Sequence, residues 1–196
     1  MATIHVLDET TINKIAAGEV VERPASVIKE LIENSIDASA TNIEVEIGDG
    51  GVAYMRITDN GIGMTEEDAR LAILRHATSK IQQVEDLFDI ASLGFRGEAL
   101  ASIASVSHFS LTTRKADSDL GTRITVDGGT FTDCIPYGAA PGTTIEIKDL
   151  FYNTPARRKF LKTERTEASK IQDIVGKLAP VSYTHLRAHE TCADLV

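Results

Sequence analysis

Several residue types and patterns that mark particular classes of protein are missing from this sequence or rare in it. The chain of 196 residues has no tryptophan and only two cysteines, Cys134 and Cys192, which stand without a paired spacing. Neither a disulfide framework nor a thiolate metal site is therefore indicated. No run of about 18 apolar residues is present, so no transmembrane helix is predicted. The N-terminal residues lack the basic start and apolar block of a signal peptide, and we expect a reducing, intracellular setting.

Basic residues are in the minority. The 20 Lys and Arg residues face 29 Asp and Glu residues, which gives a formal net charge of −9. Sequence-independent DNA binding depends on basic contacts to phosphate, so this charge argues against a surface that coats DNA. Four basic residues nevertheless cluster, either as a solvated basic helix end or as a patch for DNA backbone or a partner protein. They are Arg157, Arg158, Lys159 and Lys162.

The chain does contain an ordinary balance of 42% apolar and 25% charged residues, enough for one domain or a large domain plus a fragment. Helical periodicity predicts helices at 11–20 (interrupted at Gly18), 24–38, 65–76, 97–106 and 164–178. Alternation and turn residues predict strands at 42–47, 52–58, 109–114, 122–127, 131–137 and 143–148. This order predicts an α+β fold, a two-layer sandwich with helices covering one face of a mixed, mainly antiparallel sheet. Alternating βαβ units are missing, which counts against a doubly wound nucleotide-binding fold.

The second predicted helix carries an acidic stripe opposite its apolar side. Glu30, Asn34 and Asp37 share this stripe at ~100° per residue, and Glu33 lies just beside it. Like charges at these spacings destabilise a helix. The stripe is therefore either a solvated polar face or a site for a hard cation, a water molecule and an anionic ligand.

A glycine-rich segment, Asp59-Asn60-Gly61-Ile62-Gly63, follows a predicted strand directly. Its simpler interpretation is a turn. Alternatively, the two glycines let backbone approach a flat ligand closely. Asp59 would then accept a hydrogen bond from the exocyclic amine of adenine and repel the carbonyl oxygen of guanine, which predicts a preference for adenine.

A second glycine-containing segment, Gly94-Phe95-Arg96-Gly97-Glu98-Ala99-Leu100, precedes a predicted helix. Free N–H groups at a helix start suit phosphate, although a glycine loop before a helix is also a common structural feature. The segment is neither a Walker A loop nor Gly-x-Gly-x-x-Gly. Upstream of it, Ala77-Thr78-Ser79-Lys80 is a polar segment that by itself indicates only a helix C-terminus.

Together with Gly142-Thr143-Thr144, these segments occur in the order and spacing of the GHKL ATPases, which have the Bergerat fold. Within that superfamily the sequence resembles the MutL family of DNA mismatch-repair ATPases, from about Ile4 to Ala179. Gyrase-type topoisomerases, sensor histidine kinases and the large heat-shock chaperone share the ATP fold without sharing all the motifs. The stretches that carry the resemblance are 15–24 (IAAGEVVERP), 75–80 (RHATSK), 94–100 (GFRGEAL) and 150–160 (LFYNTPARRKF).

The resemblance implies ATP and Mg²⁺ as ligands and assigns roles to residues. Glu30 corresponds to the general base that deprotonates the attacking water, and Asn34 to the Mg²⁺ ligand. Asp59 and Thr143 correspond to the adenine-binding pair, while Asp37, Gly61 and Gly63 belong to the nucleotide site. A lid over the triphosphate corresponds to Thr78, Ser79, Lys80, Gly94, Phe95, Arg96, Gly97, Glu98, Ala99 and Leu100.

The function implied is slow, Mg²⁺-dependent ATP hydrolysis coupled to lid ordering and N-terminal domain association in mismatch repair. Implied partners are mismatch-recognition and downstream repair proteins, with DNA contact and ATP-dependent dimerisation in the intact protein. A bacterial cytoplasmic location follows, with no membrane association. A non-hydrolysing, nucleotide-gated interaction module is the alternative. A sensor-kinase domain is disfavoured, because the chain starts at Met1 without room for an upstream phosphoacceptor domain.

The resemblance ends at Ala179, so we expect an ATPase domain at 1–179 and a non-matching tail at 180–196. We expect the tail to be read-through or appended sequence. It carries a possible zinc set, His185, His189, Glu190 and Cys192, but nothing upstream supplies partner ligands. The family's second domain, which places a lysine against the γ-phosphate, is missing, and turnover is therefore expected to be weak.

Overall fold

The structure is a computed structural model that describes residues 20–74 and 98–178, together with Gly18 and the backbone of 185–190. Its helices are α1 (Pro24–Asp37), α2 (Glu66–Ala72), α3 (Ala99–Ala104), α4 (Pro155–Phe160) and α5 (Glu164–Leu178), with a short 3₁₀ helix at Asp49–Gly51. Its strands are β1 (Asn42–Gly48), β2 (Tyr54–Asp59), β3 (His108–Arg114), β4 (Gly121–Asp127), β5 (Thr130–Tyr137), β6 (Gly142–Lys148) and β7 (His185–Glu190).

These seven strands form one sheet in the order β5-β4-β3-β6-β2-β1-β7. Neighbouring strands from β5 to β1 are antiparallel. Only β7, which pairs with β1, runs parallel to its neighbour among the described strands. The predicted α+β class with a mixed, mainly antiparallel sheet is therefore confirmed.

One face of the sheet is buried against helices. Alternation places apolar side chains of β1, β2, β3, β4 and β6 on this face, because successive residues of a strand point to opposite sides. The helices α1 and α5 contribute the opposing apolar stripes. The shared core includes Ile28, Leu31, Ile32, Ile43, Val45, Met55, Ile57, Phe109, Leu111, Ile124, Ile145, Ile147, Ile171 and Val175.

The opposite face of the sheet is polar and half-buried. Arg56 and Glu46 form an ion pair across β2 and β1. Glu146 on β6 accepts hydrogen bonds from the Tyr54 hydroxyl at 3.3 Å and from Arg123 at 3.2 Å. The strands β1, β2, β3, β4 and β6 therefore hold their fully buried hydrophobic side chains on one side only, which fits a two-layer sandwich.

The helix α1 has well-defined ends. Pro24 stands at its first position, where a missing N–H costs no hydrogen bond. At its C-terminus the Ala40 N–H donates to the Ser35 carbonyl at 3.0 Å and the Ser39 N–H to the Ile36 carbonyl at 2.9 Å. This pair of bonds is a Schellman motif, in which Ser39 has a φ of 59°.

Some predicted details are wrong. Gly18 itself has helical backbone, so the interruption predicted at this residue is wrong. Glu33 is buried, and its Oε1 lies 2.7 Å from the Lys29 ammonium, instead of belonging to the solvated side of α1. The helix predicted at 97–106 is shorter, and α2 ends at Ala72.

The sequence indicated α4 only as a basic helix end, and β7 was not predicted. No helix in the ranges 20–74 and 98–178 is long and apolar enough to cross a membrane. The predicted division of the chain after residue 179 stays a prediction.

Candidate functional site

A row of polar residues ends the core-facing side of the sheet. On β2, β6 and β3 the apolar positions give way to Asp59, Thr143 and Thr113, which are register partners across the three strands. Thr122 extends the row onto β4, opposite Thr113. Thr113 and Thr122 are buried, whereas Asp59 and Thr143 are half-buried. A polar row at the end of an apolar core offers a ligand hydrogen-bonding groups next to an apolar surface that excludes water.

Asp59 is held by hydrogen bonds on both carboxylate oxygens. Its Oδ1 accepts from the Gly61 N–H at 2.8 Å, and its Oδ2 lies 3.0 Å from the donating Ser35 hydroxyl. Burial raises the pKa of Asp59, while the bonds from Gly61, Ser35 and the Thr143 backbone lower it in part. These donors leave Asp59 able to act only as an acceptor as long as it is ionised.

Thr113 connects the row to the loop that follows β2. Its Oγ1 accepts from the Met64 N–H at 2.9 Å and lies 3.0 Å from Thr143 Oγ1. It also lies 3.1 Å from the Gly142 carbonyl oxygen, to which it can donate. The hydroxyl of Thr143 is therefore fixed from behind by a side chain with no surface exposure.

The loop after β2 docks on the end of α1 and the start of β1. Asn60 Oδ1 accepts from the N–H groups of Thr41 and Asn42 at 2.9 and 2.8 Å. The Ile62 N–H donates to the Ala38 carbonyl at 3.0 Å. These bonds bring the segment that follows Asp59 against the helix that carries the acidic stripe.

The glycines of this loop are required by the protein's own backbone. A Cβ on Gly61 would lie 2.7 Å from the Ala38 carbonyl oxygen. Gly63 has a φ of 65°, and a Cβ there would lie 2.0 Å from the Arg114 carbonyl oxygen. Their place in the lining of a nucleotide site stays a prediction.

The acidic stripe lies on α1 beside the residue that reaches Asp59. Glu30 and Asn34 are half-buried and Asp37 is exposed. Each of the three has interactions within the protein. Ser35 follows Asn34 directly and bonds Asp59 from the apolar side of α1, so the helix that carries the stripe packs against the strand that carries Asp59.

The predicted phosphate lid falls largely outside the described residues. Glu98, Ala99 and Leu100 lie at the start of α3, half-buried, and Leu100 packs against the core. The convergence of the lid with Asp59 remains a prediction. The residues outside the described ranges are Thr78, Ser79, Lys80, Gly94, Phe95, Arg96 and Gly97.

Ser35 and Thr113 are the site residues that sequence reasoning missed. A signal for both exists. Ser35 lies four residues after Leu31 in the apolar stripe of α1, and Thr113 continues the core-facing alternation of Phe109 and Leu111. A hydroxyl at a core position needs a partner, and in each case the partner belongs to the Asp59–Thr143 pair.

The basic cluster occupies a surface helix. α4 has no buried residue, and Arg158, Lys159 and Lys162 are exposed. Arg157 differs, because its guanidinium packs against Gly18 and burial lowers its pKa. No group of three or more His, Cys, Asp or Glu side chains that could hold a metal ion occurs in the described part of the chain.

Comparison with known proteins gives consistent results. Residues 22–130 match the family described as histidine kinase-, DNA gyrase B-, and HSP90-like ATPase. The DNA mismatch repair protein MutL of Caldanaerobacter subterraneus subsp. tengcongensis is 58% identical over 178 residues, 91% of this chain and 30% of that protein. The corresponding protein of Desulforamulus reducens is 58% identical over 179 residues, again 91% of this chain and 28% of that protein. The chain thus spans less than a third of these relatives' length.

Solved structures agree with these sequence matches. The Aquifex aeolicus MutL ATPase domain complexed with ADP has a TM-score of 0.69 and 34% identity, and the match covers 90% of this chain and 63% of that one. The same domain with a K252N mutation has a TM-score of 0.70 and 33% identity, covering 88% of this chain and 59% of that one.

Proposed function

Because the chain belongs to the histidine kinase-, DNA gyrase B-, and HSP90-like ATPase family and is of the MutL type, we propose that it binds ATP with Mg²⁺ and hydrolyses it slowly. The observation that carries this proposal is the contact between Ser35 on α1 and Asp59 on β2. It packs the helix that carries the acidic stripe, with the groups proposed for hydrolysis, against the strand that begins the polar row, with the groups proposed to bind a base.

Adenine is the base that fits the polar row. The Asp59 carboxylate already accepts from Gly61 and Ser35 and offers further lone pairs to the exocyclic amine of adenine. Guanine presents a carbonyl oxygen at that position, which a carboxylate repels. The Thr143 hydroxyl lies beside Asp59 in register and serves the same edge of the base.

The acidic stripe suits Mg²⁺ and an attacking water. Asn34 offers one amide oxygen to Mg²⁺, which takes few protein ligands and fills its other positions with phosphates and water. Glu30 and Asp37 place carboxylates on the same side of α1. When bound, Mg²⁺ neutralises charge on the phosphates. Glu30 holds the water, takes its proton as the oxygen attacks the γ-phosphate, and ADP leaves with the bonding electron pair.

The remaining parts of the site are proposals that rest on the family. A lid formed by 78–80 and 94–100 orders over the triphosphate. The intact protein associates through its ATPase domains, contacts DNA and works with mismatch-recognition and downstream repair proteins. We propose that turnover is slow. The boundary after residue 179 stays a proposal, and β7 beyond it pairs with β1 of the same sheet.

The test separates binding from hydrolysis. Glu30→Ala is expected to lower single-turnover ATP hydrolysis by ~10²-fold or more, the range for loss of a general base, and to leave binding of a non-hydrolysable ATP analogue intact. Asn34→Ala is expected to weaken the Mg²⁺-dependent part of that binding. The matched control is Glu67→Ala, which removes an exposed carboxylate from α2.

Equal hydrolysis by the Glu30→Ala variant and the unmodified chain contradicts the role given to Glu30. Binding by the unmodified chain with no single-turnover hydrolysis supports the alternative, a module that ATP orders without being cleaved. If the unmodified chain neither binds the ATP analogue nor hydrolyses ATP, the nucleotide site is rejected.

A further inference from the structure

Two hydroxyl groups stand immediately behind the pair proposed to read adenine. Ser35 contacts Asp59 from α1, and Thr113 contacts Thr143 from β3, each at 3.0 Å. Both are buried, with 4% and 0% of their surface exposed, so neither is placed to form a broad contact with a ligand. Resting on the proposed ATP site, we propose that Ser35 and Thr113 are positioning residues that fix which group accepts and which donates at the base.

Ser35 acts on the acceptor side. Its hydroxyl has one proton, shared between Asp59 Oδ2 at 3.0 Å and the Leu31 carbonyl at 3.1 Å. With the Gly61 N–H on Oδ1, each carboxylate oxygen is approached by a donor of the protein. This fixes the plane of the carboxylate and aims its remaining lone pairs toward the exocyclic amine of adenine.

Thr113 acts on the donor side. It accepts from the Met64 N–H, so its own proton goes either to Thr143 Oγ1 or to the Gly142 carbonyl. In the first arrangement the Thr143 proton is free to point at a ligand acceptor. In the second, Thr143 must give its proton to Thr113 and offers only lone pairs. Adenine N1 is an acceptor, so the first arrangement is the one that binds adenine.

The two roles have separate chemical signatures. The Asp59 bond requires the exocyclic amine, which purine riboside triphosphate lacks. The Thr143 bond requires N1, which 1-deaza-ATP lacks. A variant that damages only the acceptor side should therefore bind purine riboside triphosphate as the unmodified chain does. A variant that damages only the donor side should bind 1-deaza-ATP as tightly as the unmodified chain does.

The Ser35 test measures binding of a non-hydrolysable ATP analogue, purine riboside triphosphate and 1-deaza-ATP to the full chain, with Mg²⁺. Ser35→Ala is expected to weaken the ATP analogue about tenfold, the effect of losing one hydrogen bond to a charged group, and to leave purine riboside triphosphate unchanged. Ser107→Ala is the matched control, because Ser107 is also buried and its hydroxyl donates to the carbonyl four residues before it, at 2.7 Å. Ser35→Cys, which keeps the volume and offers a weak donor, repeats the test should the alanine variant not fold.

The Thr113 test uses the same nucleotides and predicts the opposite pattern of losses. Thr113→Val is expected to weaken the ATP analogue and purine riboside triphosphate several-fold and to leave 1-deaza-ATP unchanged, and Thr113→Ser restores binding because it restores the hydroxyl. Thr112→Val, which changes the neighbouring threonine of β3 on the opposite face of the sheet, is the control.

Equal losses for all three nucleotides in either variant mean general damage to the site, and they overturn the proposal. Unchanged binding of all three nucleotides does the same. If the unmodified chain binds none of them, the proposed ATP site itself fails and the inference fails with it. If the unmodified chain binds them but the two variants do not each spare their own nucleotide, purine riboside triphosphate for Ser35→Ala and 1-deaza-ATP for Thr113→Val, only the positioning roles are rejected.

Discussion

Ser39 occupies a backbone conformation that glycine adopts more easily than any other residue. Its φ of 59° lies in the left-handed region, where a Cβ costs about 1–2 kcal/mol. The Schellman bonds at the end of α1 hold it there, and its side chain is exposed. The residue therefore carries strain without compensating burial, at a turn that leads into β1.

Ser39→Gly is expected to stabilise the protein by about 1 kcal/mol, after allowance for the greater freedom of glycine in the unfolded chain. That corresponds to a rise of ~2–4 °C in the unfolding temperature of a chain of this size, measured by circular dichroism. Ser39→Ala is the control, because alanine keeps the Cβ and gains nothing. A drop in stability for the glycine variant contradicts the strain assigned to this position.

At the scale of elements, α5 holds α1 in place. Ile171 is 1% exposed and belongs to the core shared by α1, α5 and the sheet. A Cβ built on Gly51 would lie 3.0 Å from its Cδ1, so the helix packs tightly over the 3₁₀ turn. At the start of the same helix the buried Glu167 accepts from the Lys162 N–H at 3.0 Å. The helix thus fixes the element that carries both Glu30 and Ser35.

Ile171→Ala is expected to destabilise the chain by about 2–5 kcal/mol, because it removes buried methyl groups and leaves a cavity. Gln172→Ala, the exposed neighbour on α5, should stay within about 0.5 kcal/mol of the unmodified chain. Chemical denaturation of the three proteins measures both values. A similar small change for both variants shows that α5 does not contribute to the core as described.

Regular elements were predictable because their apolar spacing repeats. The helix at Glu164–Leu178 and the strands on either side of the polar row follow directly from periods of 3.6 and 2. β7 was missed because the parallel pairing of 185–190 with β1 depends on a distant partner. α4 is only six residues long and buries none of them, so no apolar stripe marks it.

For the molecule as a whole, the half-buried Asp59 carboxylate supplies a hydrogen-bond acceptor and lowers the stability of the fold. Its folded pKa is raised above the ordinary value of 3.8, chiefly by burial. The folded state therefore holds the proton more tightly than the unfolded state. The stability this supplies is present below the ordinary pKa and is lost as pH rises through the folded pKa. At neutral pH the ionised group lowers the free energy of unfolding.

Asp59→Asn is accordingly expected to raise the unfolding temperature of the nucleotide-free protein at pH 7 while abolishing binding of an ATP analogue. The advantage over the unmodified chain should shrink as pH falls below the raised pKa. Calorimetry at several pH values measures the first effect, and titration with the analogue measures the second. A variant that is less stable at pH 7 would show that the bonds from Ser35 and Gly61 outweigh the cost of burial.

The parts of the site differ in how far the sequence alone predicts them. Asp59 and Glu30 were proposed because a carboxylate in a known motif can be recognised from the amino-acid sequence without the structure. Ser35 and Thr113 were not, since their importance lies in which neighbour each hydroxyl faces after folding. The glycines at 61 and 63 were interpreted either as a turn or as room for a flat ligand. The structure adds that backbone atoms of Ala38 and Arg114 would collide with a Cβ at these positions.

The position of β2 in the sheet has an implication for how this protein could change. β2 is flanked by β6 and β1, so the segment that carries Asp59 is hydrogen-bonded along both edges. Such an interior strand opens only in the rarest fluctuations of a fold. If Asp59 binds the base as proposed, loop remodelling alone does not move it, and a shift of nucleotide preference needs a different route. Such a shift would require substitution of side chains on β2 and its neighbours, with the main chain of the sheet unchanged.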